Sequence, residues 1–134
     1  MYTIEFQKCG QPHAHLLLFL HSNCKYSNAD DIDWMISAKI PCPIPKLELY
    51  KCVKDYMIHG PCGLANKSLS CMKNGKCSQF YPKIFQNTTT IFEDGFPHYR
   101  RKDNSITIVK NHISLKKCSV VSYNFKLLLK FQTH

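Results

Sequence analysis

The apolar positions along this chain change their spacing several times, and each change marks an element. Residues 2–8 and 13–20 read as an antiparallel strand pair, with the turn signals held by Lys8 to Pro12. The run Leu16-Leu17-Leu18-Phe19-Leu20 predicts a buried strand. Residues 21–28 are polar and loop-like. Asp30, Asp31 and Asp33 then lead into Trp34-Met35-Ile36, and acidic residues in a first turn suit a helix dipole, which predicts a short helix over 30–38. The three prolines of Ile40-Pro41-Cys42-Pro43-Ile44-Pro45 enforce extended backbone. Helical spacing returns over 46–58, where Leu49, Val53, Tyr56 and Met57 share one face, and Gly60 and Pro61 stop it.

Residues 59–83 are short, irregular and rich in Cys, Gly and Lys. Strands are expected at 88–92, 96–102 and 105–109, with Asp94-Gly95 as a hairpin signal. Residues 118–123 read as a further strand, and 127–131 suit either strand or helix. The pattern predicts one α+β domain over residues 1–134: an N-terminal hairpin in 1–20, two short helices, a Cys/His-rich insertion at 59–83, and C-terminal strands in 88–134.

Composition narrows the function. A hydrophobic content of 44% in 134 residues can build a core. The net charge of +9 favours a polyanionic partner, nucleic acid before membrane. No stretch approaches the roughly 20 apolar residues that cross a bilayer. Glu5, Gln7 and Lys8 interrupt any signal-peptide core, so the eight cysteines read as metal ligands or free thiols of a reducing compartment.

Two segments offer metal ligands. In a strand, His13 and His15 point to the same face, as neighbouring ligands must. If Gln7 pairs with His13, then Glu5 pairs with His15, and a carboxylate joins the two imidazoles with positions left open for water and a phosphate oxygen. The second segment carries His59, Cys62, Cys71 and Cys77, spaced His-x2-Cys-x8-Cys-x5-Cys. One imidazole and three thiols make a closed tetrahedral zinc set, and Cys52 is a substitute for one of them. Cys9, Cys24, Cys42 and Cys118 read as structural.

Basic residues gather around the Cys-rich loop, at Lys67, Lys73, Lys76 and Lys83, and again at Arg100-Arg101-Lys102. Aromatic residues interleave at Phe80, Tyr81, Phe85, Phe96 and Tyr99. Cations for phosphates and rings for stacking suit single-stranded nucleic acid. Lys76, Lys83, Arg100, Arg101 and Lys102 are the candidate DNA contacts.

Taken together, Glu5-Phe6-Gln7-Lys8 … Pro12-His13-Ala14-His15-Leu16-Leu17-Leu18-Phe19-Leu20 resembles the helicase-like N-terminal domain of Helitron transposon replication initiators. Further segments match in order: Ile36-Ser37-Ala38-Lys39-Ile40-Pro41, Met57-Ile58-His59-Gly60-Pro61-Cys62-Gly63, Cys71-Met72 … Gly75-Lys76-Cys77-Ser78, Phe80-Tyr81-Pro82-Lys83, Asp94-Gly95-Phe96-Pro97-His98-Tyr99-Arg100-Arg101 and Val120-Val121-Ser122-Tyr123-Asn124. The resemblance implies part of an HUH (His-hydrophobe-His) endonuclease sheet. It also implies rolling-circle transposition, a nuclear setting, single-stranded DNA as substrate, and a helicase domain in the full-length protein. His13 and His15 would be the HUH ligands for Mg2+ or Mn2+, with Glu5 as third ligand and Gln7 in reserve.

The chain departs from that family in two ways. The family's tyrosine nucleophile, usually one of a pair four residues apart, lies beyond the last matched segment, and no two tyrosines here have that spacing. No P-loop is present, so ATP-driven helicase activity is not expected. The expectation is a Helitron-type fragment that binds metal and single strands but does not nick alone. The alternatives are a zinc-stabilised nucleic-acid-binding module without catalysis, and a non-functional transposon remnant.

Overall fold

The computed structural model describes residues 1–6, 12–25, 28–93 and 95–132; the side chains at 5, 6, 12–14 and 16 lie outside the description. Its elements, in order, are β1 (Tyr2–Phe6), β2 (Pro12–Leu16), α1 (Ala29–Met35), α2 (Leu47–Tyr56), β3 (Met72–Lys73), β4 (Lys76–Cys77), β5 (Thr90–Ile91), β6 (Pro97–His98), β7 (Ile108–Lys110), β8 (Ile113–Leu115) and α3 (Phe125–Phe131). The fold is α+β. Its strands form four separate antiparallel pairs, and no ladder joins three strands among the described residues.

The core is built on α2 and α3. Leu49, Cys52 and Val53 face inward from α2, and Leu128 from α3. They pack with Ile40, Met57, Ile58, Ile108, Val120 and Tyr123. Tyr56 was expected on this face but is 40% exposed, and Cys52 takes the inward place. The extended segments are held by single bridges, Ser37 to Tyr123 and Ile58 to Val120. The Tyr123 hydroxyl donates to the Lys39 carbonyl at 2.9 Å.

Several boundaries differ from the sequence reading. Asn28 caps α1 by accepting from the Asp31 N–H at 2.8 Å. The helix ends at Met35 rather than 38, because Ser37 turns out to exchange two backbone hydrogen bonds with Tyr123. The strand expected at 118–123 is instead a 3-10 turn at Lys117–Ser119 followed by the two bridges. The ambiguous stretch 127–131 belongs to α3, so the described residues hold three α-helices. Asn124 starts α3 by accepting from the N–H groups of Lys126 and Leu127. The strand at 105–109 moves to β7 and pairs with β8, which was not foreseen.

The expected hairpin forms, as β5 and β6, although Asp94 lies outside the described residues and each strand keeps only two paired residues. A polar node ties it to α1. The Thr89 hydroxyl donates to Asp33, the Arg100 N–H donates to the Thr89 oxygen at 2.9 Å, and Arg100 Nε lies 3.2 Å from the Asp33 carboxylate.

The N-terminal ribbon corrects a further expectation. Residues 16–20 were read as a buried strand, yet β2 stops at Leu16 and Leu17, Leu18, Phe19 and Leu20 are 44–81% exposed. The register places Leu16 opposite Tyr2, and Leu17 bonds back to Met1.

Candidate metal centre

Residues 59–83 lack an apolar core: apart from Pro61, none of them is buried. The loop is instead pinned at both ends. The His59 N–H donates to the Ser119 carbonyl at 2.9 Å, and the Lys83 N–H to the Cys118 carbonyl at 2.8 Å. Entry and exit therefore sit side by side on the 3-10 turn, and everything between them projects from that turn as one loop.

Inside the loop, sequence dictates two tight backbone features. Gly60 has φ 91°, and a Cβ there would lie 2.8 Å from the Cys62 nitrogen, so this close approach requires glycine. Asn74 and Gly75 have φ 50° and 76°, the left-handed pair of a two-residue hairpin turn. That turn joins β3 to β4 and pairs Met72 with Cys77. The Ser78 N–H donates to the Cys71 carbonyl at 2.7 Å, which extends the ladder. Cys71 and Cys77 are thus brought across the hairpin, while the Gly63 N–H donates to the Met72 sulfur at 3.3 Å and holds the Cys62 turn against it.

The result is that one ligand atom from each of His59, Cys62, Cys71 and Cys77 lies within 4.8 Å of every other. His59 Nε2 is 3.3 Å from Cys77 Sγ. Tetrahedral zinc with Zn–S near 2.3 Å and Zn–N near 2.0 Å would set its ligand atoms about 3.5–3.8 Å apart. A small adjustment of this cluster reaches that geometry. The donor set, three sulfurs and one imidazole, is that of a structural zinc site.

The four groups are shifted in different directions. Burial pushes the Cys62 thiol up to about 11, helped by neighbouring Cys77 and Cys71. Burial also raises Cys71. Cys77 goes the other way: burial alone would raise it, but the backbone groups of Tyr81 and Gln79 and the two other thiols hydrogen-bond its sulfur and bring it below the ordinary thiol value. Burial lowers His59, with Lys83 and Lys110 adding repulsion, which favours the neutral, metal-binding imidazole. Tyr81 stacks on the His59 ring at 4.1 Å between centroids and 15° between planes. Such a contact fixes the orientation of a ligating ring.

All four residues of the Cys/His set expected from sequence converge. Cys52 does not join them, because it is 5% exposed within the α2 core. The Asn74-Gly75 hairpin went unrecognised in the sequence reading, although Asn-Gly is the strongest short hairpin signal.

The N-terminal histidines are placed differently from the expectation. Glu5 pairs with His13, and Thr3 with His15, whereas the sequence reading paired Gln7 with His13 and Glu5 with His15. Pro12 accounts for the shift: it enters as the first residue of β2, where its missing N–H costs least, and pairs with Phe6. The offset is even, so positions 5, 13 and 15 stay in phase along the ribbon. Gln7, Cys9 and the side chains of Glu5 and His13 lie outside the described residues; His15 is exposed.

The basic triplet is also redistributed. Arg101 is 4% exposed, and its Nη1 donates to the carbonyls of Lys117 and Val120 at 2.8 and 2.6 Å. It is an internal strut. Arg100 is engaged with Asp33. Extended backbone explains the split, since alternate residues face opposite sides: Arg101 turns inward, and Lys102 turns outward and is exposed. Lys76 is exposed too, and Lys83 is half-buried, its Nζ donating to the Gln79 carbonyl at 2.8 Å.

Among the described residues no helix is long and apolar enough to cross a membrane. No protein-family model matches the chain, and no curated protein matches it in sequence.

Proposed function

We propose that this chain is a zinc-ordered module that binds single-stranded nucleic acid, derived from a Helitron-type replication initiator and lacking nicking activity by itself. The observation that carries the reading is the convergence of His59, Cys62, Cys71 and Cys77 in a loop with no apolar core. Such a loop needs a metal to hold one shape. The net charge of +9 supports a polyanionic partner, and the resemblance of its segments to Helitron initiators names single-stranded DNA and a nuclear setting. The test is metal analysis of the purified chain beside a strand-binding titration. The reading expects one zinc per chain, lost in Cys71→Ser, and salt-sensitive binding of a labelled single strand by the loaded protein. A chain that holds no zinc, or that binds no strand when loaded, refutes it.

The ribbon register favours a second, weaker metal site. Glu5 opposite His13, with His15 in phase, is the arrangement an HUH centre would use for Mg2+ or Mn2+. Manganese bound in addition to zinc, and lost in the double variant His13→Ala with His15→Ala, would support it; the same manganese signal in that variant would eliminate it. A covalent protein–DNA adduct formed by this chain in manganese would overturn the absence of nicking.

A further inference from the structure

A cleft of about 560 Å³ opens beside the metal loop, between the segment after Cys77 and the β5–β6 hairpin. Its volume falls in the ~300–1,000 Å³ range of small-ligand sites. Phe80 and Phe96 stand at it from the two sides, and they are 79% and 72% exposed. Tyr81 and Tyr99 also line it, and Lys83 and Arg101 are its two fixed cations. Among the described residues that line it there is no carboxylate.

Phe80 is the telling residue. Its backbone sits at φ 56°, the left-handed region that a bulky side chain rarely adopts. The turn that imposes this begins at a metal ligand: the Phe80 N–H donates to the Cys77 carbonyl at 3.0 Å. A strained backbone that drives a phenyl ring out into water gains nothing in packing. Strain of this kind points to use at the surface. Lys83 lies 5.8 Å from the Phe80 ring centroid and 4.9 Å from that of Tyr81, so a cation accompanies the rings.

We infer that this cleft receives an unpaired base of a single strand, stacked on Phe80 and Phe96, with the adjoining phosphate drawn to Lys83. The occupant follows from the chemistry: flat exposed rings accept any base face, and Lys83 beside them suits a phosphate. An acidic peptide would be attracted by the charge alone and would leave the rings unused. The inference rests on the single-strand reading above and assigns its site.

The experiment uses the zinc-loaded chain, labelled oligothymidylate, and a strand of equal length whose central nucleotides are abasic. Phe80→Ala and Phe96→Ala should each weaken oligothymidylate binding by about 5- to 150-fold. The abasic strand should bind the unaltered protein about as weakly, and the substitutions should then make little further difference. Both rings are mostly exposed, so zinc content and melting temperature should hold in both variants. If the unaltered chain binds oligothymidylate and both variants bind it within twofold, the cleft assignment fails while single-strand binding stands. Equal binding of the abasic strand and oligothymidylate by the unaltered protein overturns it as well. Absence of any strand binding by the zinc-loaded protein overturns both readings.

Discussion

On the zinc reading, stripping the metal from the Cys/His loop should unfold that loop before it unfolds anything else. The loop is joined to the body at His59 and Lys83, which bond to Ser119 and Cys118. Between those points its order comes from β3–β4, a handful of turns and the ligand cluster. A ligand that binds only the native state stabilises by RT ln(1 + [L]/Kd), about 4 kcal/mol at a thousandfold excess over Kd. For a chain of 134 residues each kcal/mol moves the melting temperature by roughly 3–5 °C. Chelation should therefore lower the transition by about 12–20 °C. Hydrogen exchange should show where the loss falls: amides within 59–83 lose protection, whereas those of α2 and α3 keep theirs until the main transition. Cys71→Ser should reproduce both effects and make the protein indifferent to chelator. The reasoning is refuted if chelator moves the transition by less than about 2 °C, or if exchange rises evenly across the chain. The first outcome would mean the loop orders itself; the second would mean the metal holds the helical core.

Phe80→Gly should be more stable than Phe80→Ala by about 1 kcal/mol in thermal unfolding, the reverse of the usual order, because φ 56° penalises any side chain but glycine. Arg101→Lys should cost roughly 1–3 kcal/mol in denaturant unfolding, since the shorter lysine arm does not bring its ammonium to the position from which Nη1 serves both the Lys117 and Val120 carbonyls. Tyr123→Phe should cost about 0.5–1.5 kcal/mol for the lost bond to the Lys39 carbonyl. Burial raises the Tyr123 phenol above its ordinary value of 10.0, so the folded protein holds that proton more tightly than the unfolded chain does. Its contribution is complete below pH 10 and declines as pH rises toward the folded value. Alkaline unfolding followed by tyrosinate absorbance should therefore start at higher pH in Tyr123→Phe, once the difference at neutral pH is allowed for. Tyr81 and Tyr99 are raised by burial too and will contribute their own alkaline loss in both proteins.

The parts of the fold that rest on local chemistry were legible in the sequence. Acidic residues ahead of Trp34 marked α1, apolar spacing marked α2, and Asp94-Gly95 marked a hairpin. The four zinc-type ligands were legible because close Cys/His spacing restricts what the chain can do with them. What escaped depends on contacts between distant segments. Residues 118–123 have the composition of a strand, but Val120 and Tyr123 each find one bridging partner, in Ile58 and Ser37, and no neighbouring strand completes a ladder. Arg-Arg-Lys looked like one basic patch, because residue counting ignores the alternation that sends Arg101 inward and Lys102 outward. The N-terminal register slipped by two because Pro12 was assigned to the turn instead of the strand.

The turn at Lys117–Ser119 explains why a loop without a core can present a defined surface. Four connections meet at or beside it: the His59 N–H on Ser119, the Lys83 N–H on Cys118, and the Arg101 guanidinium on both Lys117 and Val120. Val120 in turn is fully buried beside Met57 and Ile58. The Cys/His loop, the extended segment that carries Tyr99 and Arg101, and the helical core are thus fastened to one short turn. Arg101 makes this fastening work without a counter-ion among the described residues, because carbonyl oxygens satisfy the guanidinium where a carboxylate would also cancel its charge. That charge stays in the wall of the aromatic cleft. A neutral strut such as methionine at position 101 would fill the space but remove both the carbonyl bonds and the field. Arg101→Met should then weaken single-strand binding and reduce its salt dependence even in molecules that retain zinc, whereas a strut with a purely structural role would leave the salt dependence unchanged.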